Sequence, residues 1–414
     1  MHRTWLSLGK GFCLLCLFLS PRLVRGAEES TNGNNSSAIA PLLKAVAERS
    51  KGASAPTESV LSNTTARLLI HFDKLLQEPA VYRPKALLEC GMFPEGRIYP
   101  FAIPAMAYAN LALAEPGKRQ EYSVQMEKLV SMLVATEIED IRPPGNDLNR
   151  LTRYKKHGTR LATLNMVLAC YALVSKDLRY EKLHDHVSSL LRDALVGGSG
   201  APLASYPEYT WYFDTIMALV SLDMHDRARG LGHADGLVQK HFDWLKRHAM
   251  DPDSGLPVAY EGGLPRGCDL SMQVCLLQQL DPRTAKRIYG DYVKHHWVDL
   301  GFFAGFREWP KSKAESYFGD IDSGPLVFGI GPTATGVGLG GAKAMGDTNR
   351  VSLLAKELQM LPDLLALMRL GGQRLFGAQV AIDTEYVTGF LYGDTVLFYA
   401  ITWVPYPSRG MGTL

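Results

Sequence analysis

Residues 159–195 read "TRLATLNMVLACYALVSKDLRYEKLHDHVSSLLRDAL". Up to Val174 the run is apolar on nearly every side, so a helix here leaves no face for water and must be enclosed by protein. A short turn, "SKDLR" at 175–179, leads into a different pattern. From Glu181, Leu183, Val187, Leu190 and Leu191 fall on one helical face, with Lys182, Asp185, Arg192 and Asp193 elsewhere. An enclosed helix followed by an amphipathic one is one layered hairpin.

The same contrast recurs along the chain. Helix-period segments run over 57–77, 103–115, 118–138, 159–176, 180–195 and 214–228, then 235–250, 269–280, 283–297, 334–346, 349–368 and 394–404. Every second one is apolar all round, as in "IPAMAYANLALA", "DTIMALVSL", "DLSMQVCLL" and "DTVLFYAIT". The pattern predicts an all-α chain folded as an (α/α)6 toroid: six helical hairpins, with inner helices ringed by outer ones. No run of strand alternation is long enough for a sheet.

Turns after the apolar helices are short ("EPGK", "SKDLR", "DPRT", "GDTN"), whereas the connections before them are long. Long connections in a compact domain are usually functional. The site is therefore expected where the apolar helices begin, with those helices parallel and their N-termini at one end. The long loops also carry the aromatics and acids: "YPEYTWYFD", "VAYEGGLPRGCD", "GFFAGFREWPKSKAESYFGDIDSGP" and "FGAQVAIDTEYVTGFLYGD".

Composition narrows the rest. The chain has 414 residues, 46% hydrophobic, with a net charge of +2. It is long enough for a large core and too neutral to present a field to nucleic acid. Residues 1–26 read as a signal peptide, with basic Arg3 and Lys10, an apolar run from Phe12 to Leu19, and cleavage after Gly26. Residues 27–56 read as a flexible linker, and 57–414 as the toroid domain. The expectation is an exported protein with no stable membrane span once the leader is removed; a retained N-terminal anchor is the alternative. Cys90, Cys170, Cys268 and Cys275 are too sparse for a disulfide framework and form no CxxC zinc pattern. No metal or cofactor is expected.

Candidate site residues follow from the loops. Asp214, Asp269 and Asp394 each open an apolar helix, as N-caps or as groups lining the end of the ring. Asp320 and Asp322 lie two apart before Gly324-Pro325 and suit an acid–base pair, because neighbouring carboxylates push one pKa upward. "GIGPTATG" at 329–336 superficially matches a dinucleotide loop, but no βαβ pattern surrounds it. Gly336, Gly338, Gly340 and Gly341 read instead as close helix packing. Glu308 sits beside Trp309 and Glu261 beside Tyr260, with Arg266 and Arg307 to balance them. His157 is the histidine best placed for proton transfer. The expected catalytic set is Asp322, Asp214, Asp269, Glu308 and His157. The expected binding set is Tyr209, Trp211, Tyr260, Arg266, Trp309, Asp320 and Asp394. Asp214, Asp269, Asp322 and Glu308 are expected to meet in one cavity walled by Tyr209, Trp211 and Trp309. Asp322 is the expected general acid, since Asp320 is near and Pro325 stiffens the loop.

From about 160 to 404 the order of "YALVSKDLRYEKLHDHVSSLLRDAL", "YTWYFDTIMALVSLDMHD", "DPDSGLPVAYEGGLPRGCDLSMQVCLLQQLDPRTAKRIYGDYVKHHW", "DIDSGP" and "GDTVLFYAI" resembles the linalool dehydratase/isomerase family. The resemblance implies an (α/α)6 fold and metal-free acid–base dehydration or isomerisation of an alcohol. That family's site uses cysteines, a histidine, a tyrosine and an aspartate. Its cysteine positions fall here near Ala204 and Phe213, and its histidine position near Thr163. What carries over is the pocket rather than the reaction. The first functional expectation is thus a lyase or isomerase acting on an alcohol-bearing small molecule. A glycoside hydrolase or polysaccharide lyase with a carbohydrate substrate is the second, and a non-catalytic binding or scaffold protein the third. The first two need converging acids; the third needs acids that only cap helices.

Overall fold

Asp281 shows how one of these helices begins. Its carboxylate accepts hydrogen bonds from Arg283 N at 3.1 Å and Thr284 N at 3.3 Å, and Pro282 occupies the first helical position. Both features satisfy or remove the orphan amides of a helix start. Lys294 in the last turn of the same helix complements its negative end.

The computed structural model describes residues 55–91, 94–139, 157–301, 303–313, 319, 322–324, 326, 329–376 and 385–407. They form α1 (Thr57–Leu75), α2 (Pro79–Cys90), α3 (Tyr99–Ala114), α4 (Arg119–Glu139), α5 (Gly158–Val174), α6 (Glu181–Val196) and α7 (Tyr212–Arg229). Then come α8 (Ala234–His248), α9 (Gly267–Leu280), α10 (Pro282–His296), α11 (Pro332–Ala344), α12 (Thr348–Phe376) and α13 (Leu391–Thr402). The chain is all-α. Among the described residues the only paired strands are β1 (Trp297–Asp299) and β2 (Ala304–Phe306), antiparallel with Trp297 opposite Phe306.

All twelve helices anticipated from periodicity are present. α2 was not anticipated, because Pro84 inside it reads as a breaker; it is short and packs against α1, α4 and α13. The β1–β2 hairpin was also missed, being only three residues a strand, with β2 laid on α11 and α12. The expected leader, residues 1–26, lies outside the described residues, as does all but 55–56 of the expected linker.

The apolar helices pack in order: α3 on α5, α5 on α7, α7 on α9, α9 on α11, α11 on α13, and α13 on α3. Ile103 to Leu111 of α3 and Thr395 to Ile401 of α13 are buried without a break. The amphipathic helices lie against these: α4 on α3 and α5, α6 on α5 and α7, α8 on α7, α10 on α9, α12 on α11, and α1 on α13. α6 buries Leu183, Val187, Leu190, Leu191 and Leu195, the stripe read from its sequence. No helix of the described residues is long and apolar enough to cross a membrane.

Glycine sets two of the closest approaches. A Cβ at Gly340 would stand 3.1 Å from Ala400 Cα on α13 and 3.1 Å from Cys275 Sγ on α9. One at Gly338 would stand 2.5 Å from the Phe306 ring. Gly336 differs from the expectation, since nothing lies within 4 Å of its missing Cβ.

Candidate active site

The opening turns of the six apolar helices surround one cavity. Helical spacing sorts its lining into two levels, because residues three or four apart share a face. Asp214 stands above Met217 on α7, Asp269 above Met272 on α9, and Thr333 above Val337 on α11. Tyr392 stands above Val396 on α13, and Tyr99 above Ile103 and Met106 on α3. Thr163 of α5 and Phe213 complete the wall; Glu95, Trp211, Arg266, Cys268 and Asp322 complete the upper, polar level. The cavity is therefore polar where the helices begin and apolar one turn deeper. It encloses about 80 Å³, room for several waters and less than the roughly 300–1,000 Å³ of a drug-sized pocket. Three flexible methionines in the floor let that space adapt.

A larger hollow, about 360 Å³, lies between α6 and α8 and is lined by Arg192, Val196, His233, Gly236, Leu237 and Lys240. It is an open surface groove without a carboxylate in its lining, and the chemistry is elsewhere.

Asp214 is buried, 2% exposed, and accepts a hydrogen bond from Thr159 Oγ1 to Oδ2 at 2.6 Å. Burial pushes its carboxyl up to about 7, helped by the charges of Glu95 and Asp269, while the Ser205 and Thr159 hydroxyls pull it back. It therefore holds a proton near neutrality. Tyr99 and Tyr392 stack with ring centroids 6.4 Å apart, and burial raises both phenols well above their ordinary value. Tyr206 Oη donates to Glu95 Oε1 from behind the lining.

Arg266 and Glu308 form the second feature. Arg266 Nε donates to Glu308 Oε1 at 2.8 Å, with the two side chains 2% and 0% exposed. The guanidinium lies 5.3 Å from the Trp211 ring and 5.6 Å from the Trp309 ring, a geometry suited to a weakly hydrated planar cation. Glu308 also accepts Cys268 N at 3.1 Å and Cys268 Sγ at 3.1 Å. Burial and the Glu308 charge hold the Cys268 thiol well above its usual value, so it is a thiol rather than a thiolate nucleophile. Asp322 Oδ2 stands 4.0 Å from Arg266 Nη1 with its side chain 37% exposed.

Of the residues expected from sequence, Asp214, Asp269, Asp322, Trp211 and Arg266 do converge. Glu308 does not reach the cavity; it sits behind Arg266 and fixes it. His157 precedes α5 with its ring edge-on to Tyr206, 6.3 Å away, outside the lining. Tyr209 is 65% exposed and walls nothing. Tyr260 packs edge-on to Trp211 at 5.0 Å, and Trp309 covers Arg266, so both support the wall from outside. Asp394 is fully buried and turned to the chain before its own helix, accepting Val387 N at 2.9 Å and Thr388 N at 2.7 Å. Asp320 lies outside the described residues. None of Asp214, Asp269 and Asp394 is an N-cap: Trp211, Arg266 and Phe390 hold those positions, and the aspartates lie inside the first turn.

Asp322 does not have the surroundings of the expected acid. It is partly exposed beside a guanidinium, whereas burial singles out Asp214. Glu95, Tyr99, Thr159, Cys268 and Tyr392 were missed. Glu95 and Tyr99 stood in "FPEGRIYPF", the long connection before the first apolar helix, where the loop rule already pointed.

No family model matches the chain.

Proposed function

We propose that this chain is an acid–base lyase or isomerase of the linalool dehydratase/isomerase kind, acting on a small molecule that carries an alcohol group. The observation that carries the reading is Asp214: a buried carboxyl, protonated near neutrality, among Glu95 and Asp269 at the polar end of a cavity with an apolar floor. Such a site orients an amphipathic molecule with its hydroxyl among the acids and its hydrocarbon part among Ile103, Met106, Met217, Met272 and Val396. Asp214 gives its proton to the departing oxygen, and a neighbouring carboxylate takes a proton from the adjacent carbon. The buried Arg266–Glu308 pair holds one wall rigid, as positioning requires.

The fold we propose for this function is the (α/α)6 toroid. The order of packing from α3 round to α13, and the amphipathic helices laid outside, support it. We also propose export, on the signal-like pattern of residues 1–26; N-terminal sequencing of secreted material should begin after Gly26, and a start at Met1 would favour an anchor.

The test is turnover of a panel of small unsaturated and saturated alcohols, read by gas chromatography, with simple glycosides as the competing arm. Dehydration or isomerisation of an alcohol is expected, and Asp214→Asn should lower kcat roughly 10²–10⁴-fold. Glycoside cleavage, or full turnover by Asp214→Asn, would sink the reading.

A further inference from the structure

We propose that the cavity takes a small organic cation, so that the alcohol handled there is an amino alcohol whose protonated or quaternary nitrogen lies against Glu95 and the stacked rings of Tyr99 and Tyr392. The inference rests on the acid–base reading of the cavity and names the substrate class which that reading leaves open.

The charge of the lining is the first observation. Its described residues include four carboxyls, Glu95, Asp214, Asp269 and Asp322, and one cationic side chain, Arg266. That guanidinium is already engaged: Nε donates to the buried Glu308 at 2.8 Å, and Nη1 stands 4.0 Å from Asp322. Glu95 and Asp214 accept from the neutral hydroxyls of Tyr206 and Thr159. A hydroxyl satisfies a lone pair but cancels no charge. A sheltered carboxylate is stabilised best by a cation.

The second observation is aromatic. Tyr99 and Tyr392 both line the cavity, with rings 6.4 Å apart and within 15° of parallel. Ring faces attract cations, and quaternary ammonium groups are recognised in this way. Glu95 lies in the turn Glu95–Arg97 that leads into α3, whose first residue is Tyr99. Carboxylate and rings therefore share the α3–α13 side. Arg266 precedes α9, which is three helices from α3 in either direction along the packing order. The repelling guanidinium stands across from the wall that attracts.

Size and spacing select the kind of cation. Among the described residues no three His, Cys, Asp or Glu side chains gather closely enough to hold a metal ion. The acids are spread round the walls, as a broader, organic ion requires. The enclosed space of about 80 Å³ suits a molecule of a few heavy atoms, and Ile103, Met106 and Val396 below offer an apolar floor to its methyl or methylene groups.

The charge also helps the reaction. A positive nitrogen withdraws electrons from the adjoining carbon and makes its proton easier to remove. That proton passes to a carboxylate, the hydroxyl leaves the next carbon as water with the Asp214 proton, and a double bond forms between the two carbons. The charge on nitrogen is unchanged throughout.

The experiment is calorimetric binding to the full chain of two charged ligands, choline and ethanolamine, each against its neutral isostere with carbon in place of nitrogen, at matched ionic strength. Each cation should bind roughly tenfold or more tightly than its isostere. Glu95→Gln should weaken choline roughly tenfold and change its isostere less than about twofold. Tyr392→Leu, which removes a ring face and keeps an apolar side chain, should act in the same direction; it replaces Glu95→Gln should that variant fail to fold. Equal affinity within each pair, no binding of either cation, or variants that weaken charged and neutral ligands alike would overturn the proposal. Binding is read without turnover. Cation binding with no dehydration would sink the reaction and leave this inference standing, whereas dehydration of neutral alcohols with no preference for charge would do the reverse.

Discussion

Asp214 concentrates the conflict between burial and charge. The amide end of α7 favours an anion there, yet removal from water outweighs it and lifts the carboxyl from 3.8 to about 7. A folded-state value above the unfolded one means that the native chain holds a proton the unfolded chain has released. The stabilisation is whole below about pH 4 and is lost as pH rises through about 7, on the order of 4 kcal/mol in all. Asp214→Asn removes that titration. Relative to wild type, the variant should therefore gain stability from about pH 4 to about pH 7 and level off above that, read as urea midpoints at each pH. A stability difference that does not change with pH would contradict the burial argument. Glu357 and Asp394, lifted by burial to about 7 and about 6, titrate over the same range in both proteins and cancel in the difference.

At the scale of elements, α11 is defined by what it lacks. A Cβ at Gly338 would stand 2.5 Å from the Phe306 ring, and one at Gly340 3.1 Å from the backbone of α13, tighter than ordinary van der Waals contact. Ala has the better helix propensity, by about 1 kcal/mol, so a free helix would gain from Gly340→Ala. Here the added methyl meets Ala400 Cα and Cys275 Sγ, both at 3.1 Å. Overpacking of this kind costs about 1–3 kcal/mol. Gly340→Ala should lower the thermal midpoint while Gly336→Ala, facing open space, should raise it. Similar shifts from the two would show that packing does not decide this helix. The sequence pointed to close approach through its run of glycines, but which of them touch a neighbour depends on α9, α13 and β2.

At the scale of the molecule, the order of packing makes the last helix as structural as the first. α13 packs on both α3 and α11, and Phe398, Tyr399 and Trp403 are buried. The segment beyond it is fastened to the middle of the chain: Arg227 Nη1 of α7 donates to the Pro407 carbonyl at 3.0 Å and Gln279 Nε2 of α9 to the Val404 carbonyl at 3.0 Å. Ending the chain after Phe390 should abolish cooperative unfolding, seen as a broad thermal transition with dye binding to exposed apolar surface. A sharp transition close to the wild-type midpoint would mean that the remaining helices form a closed core without it.

The sequence by itself determined that this protein is all-α, where twelve of its helices run, which of them are enclosed, and at which end of those helices the polar cavity lies. Those features rest on periodicity and loop length, which are local and survive translation into one dimension. Tertiary structure decided the rest. Asp214, Asp269 and Asp394 look alike in sequence, each an aspartate opening an apolar helix. Only packing turns two of them into the cavity and folds the third back on Val387 and Thr388. Glu308 and Asp322 were both expected as cavity acids, but the Arg266 guanidinium, close to the Trp211 and Trp309 rings, made one a buried counter-ion and left the other at the rim. Whether a carboxyl is an acid, an anchor or a cap is set by its desolvation and its partners, and both are properties of three-dimensional neighbours that no window of sequence contains.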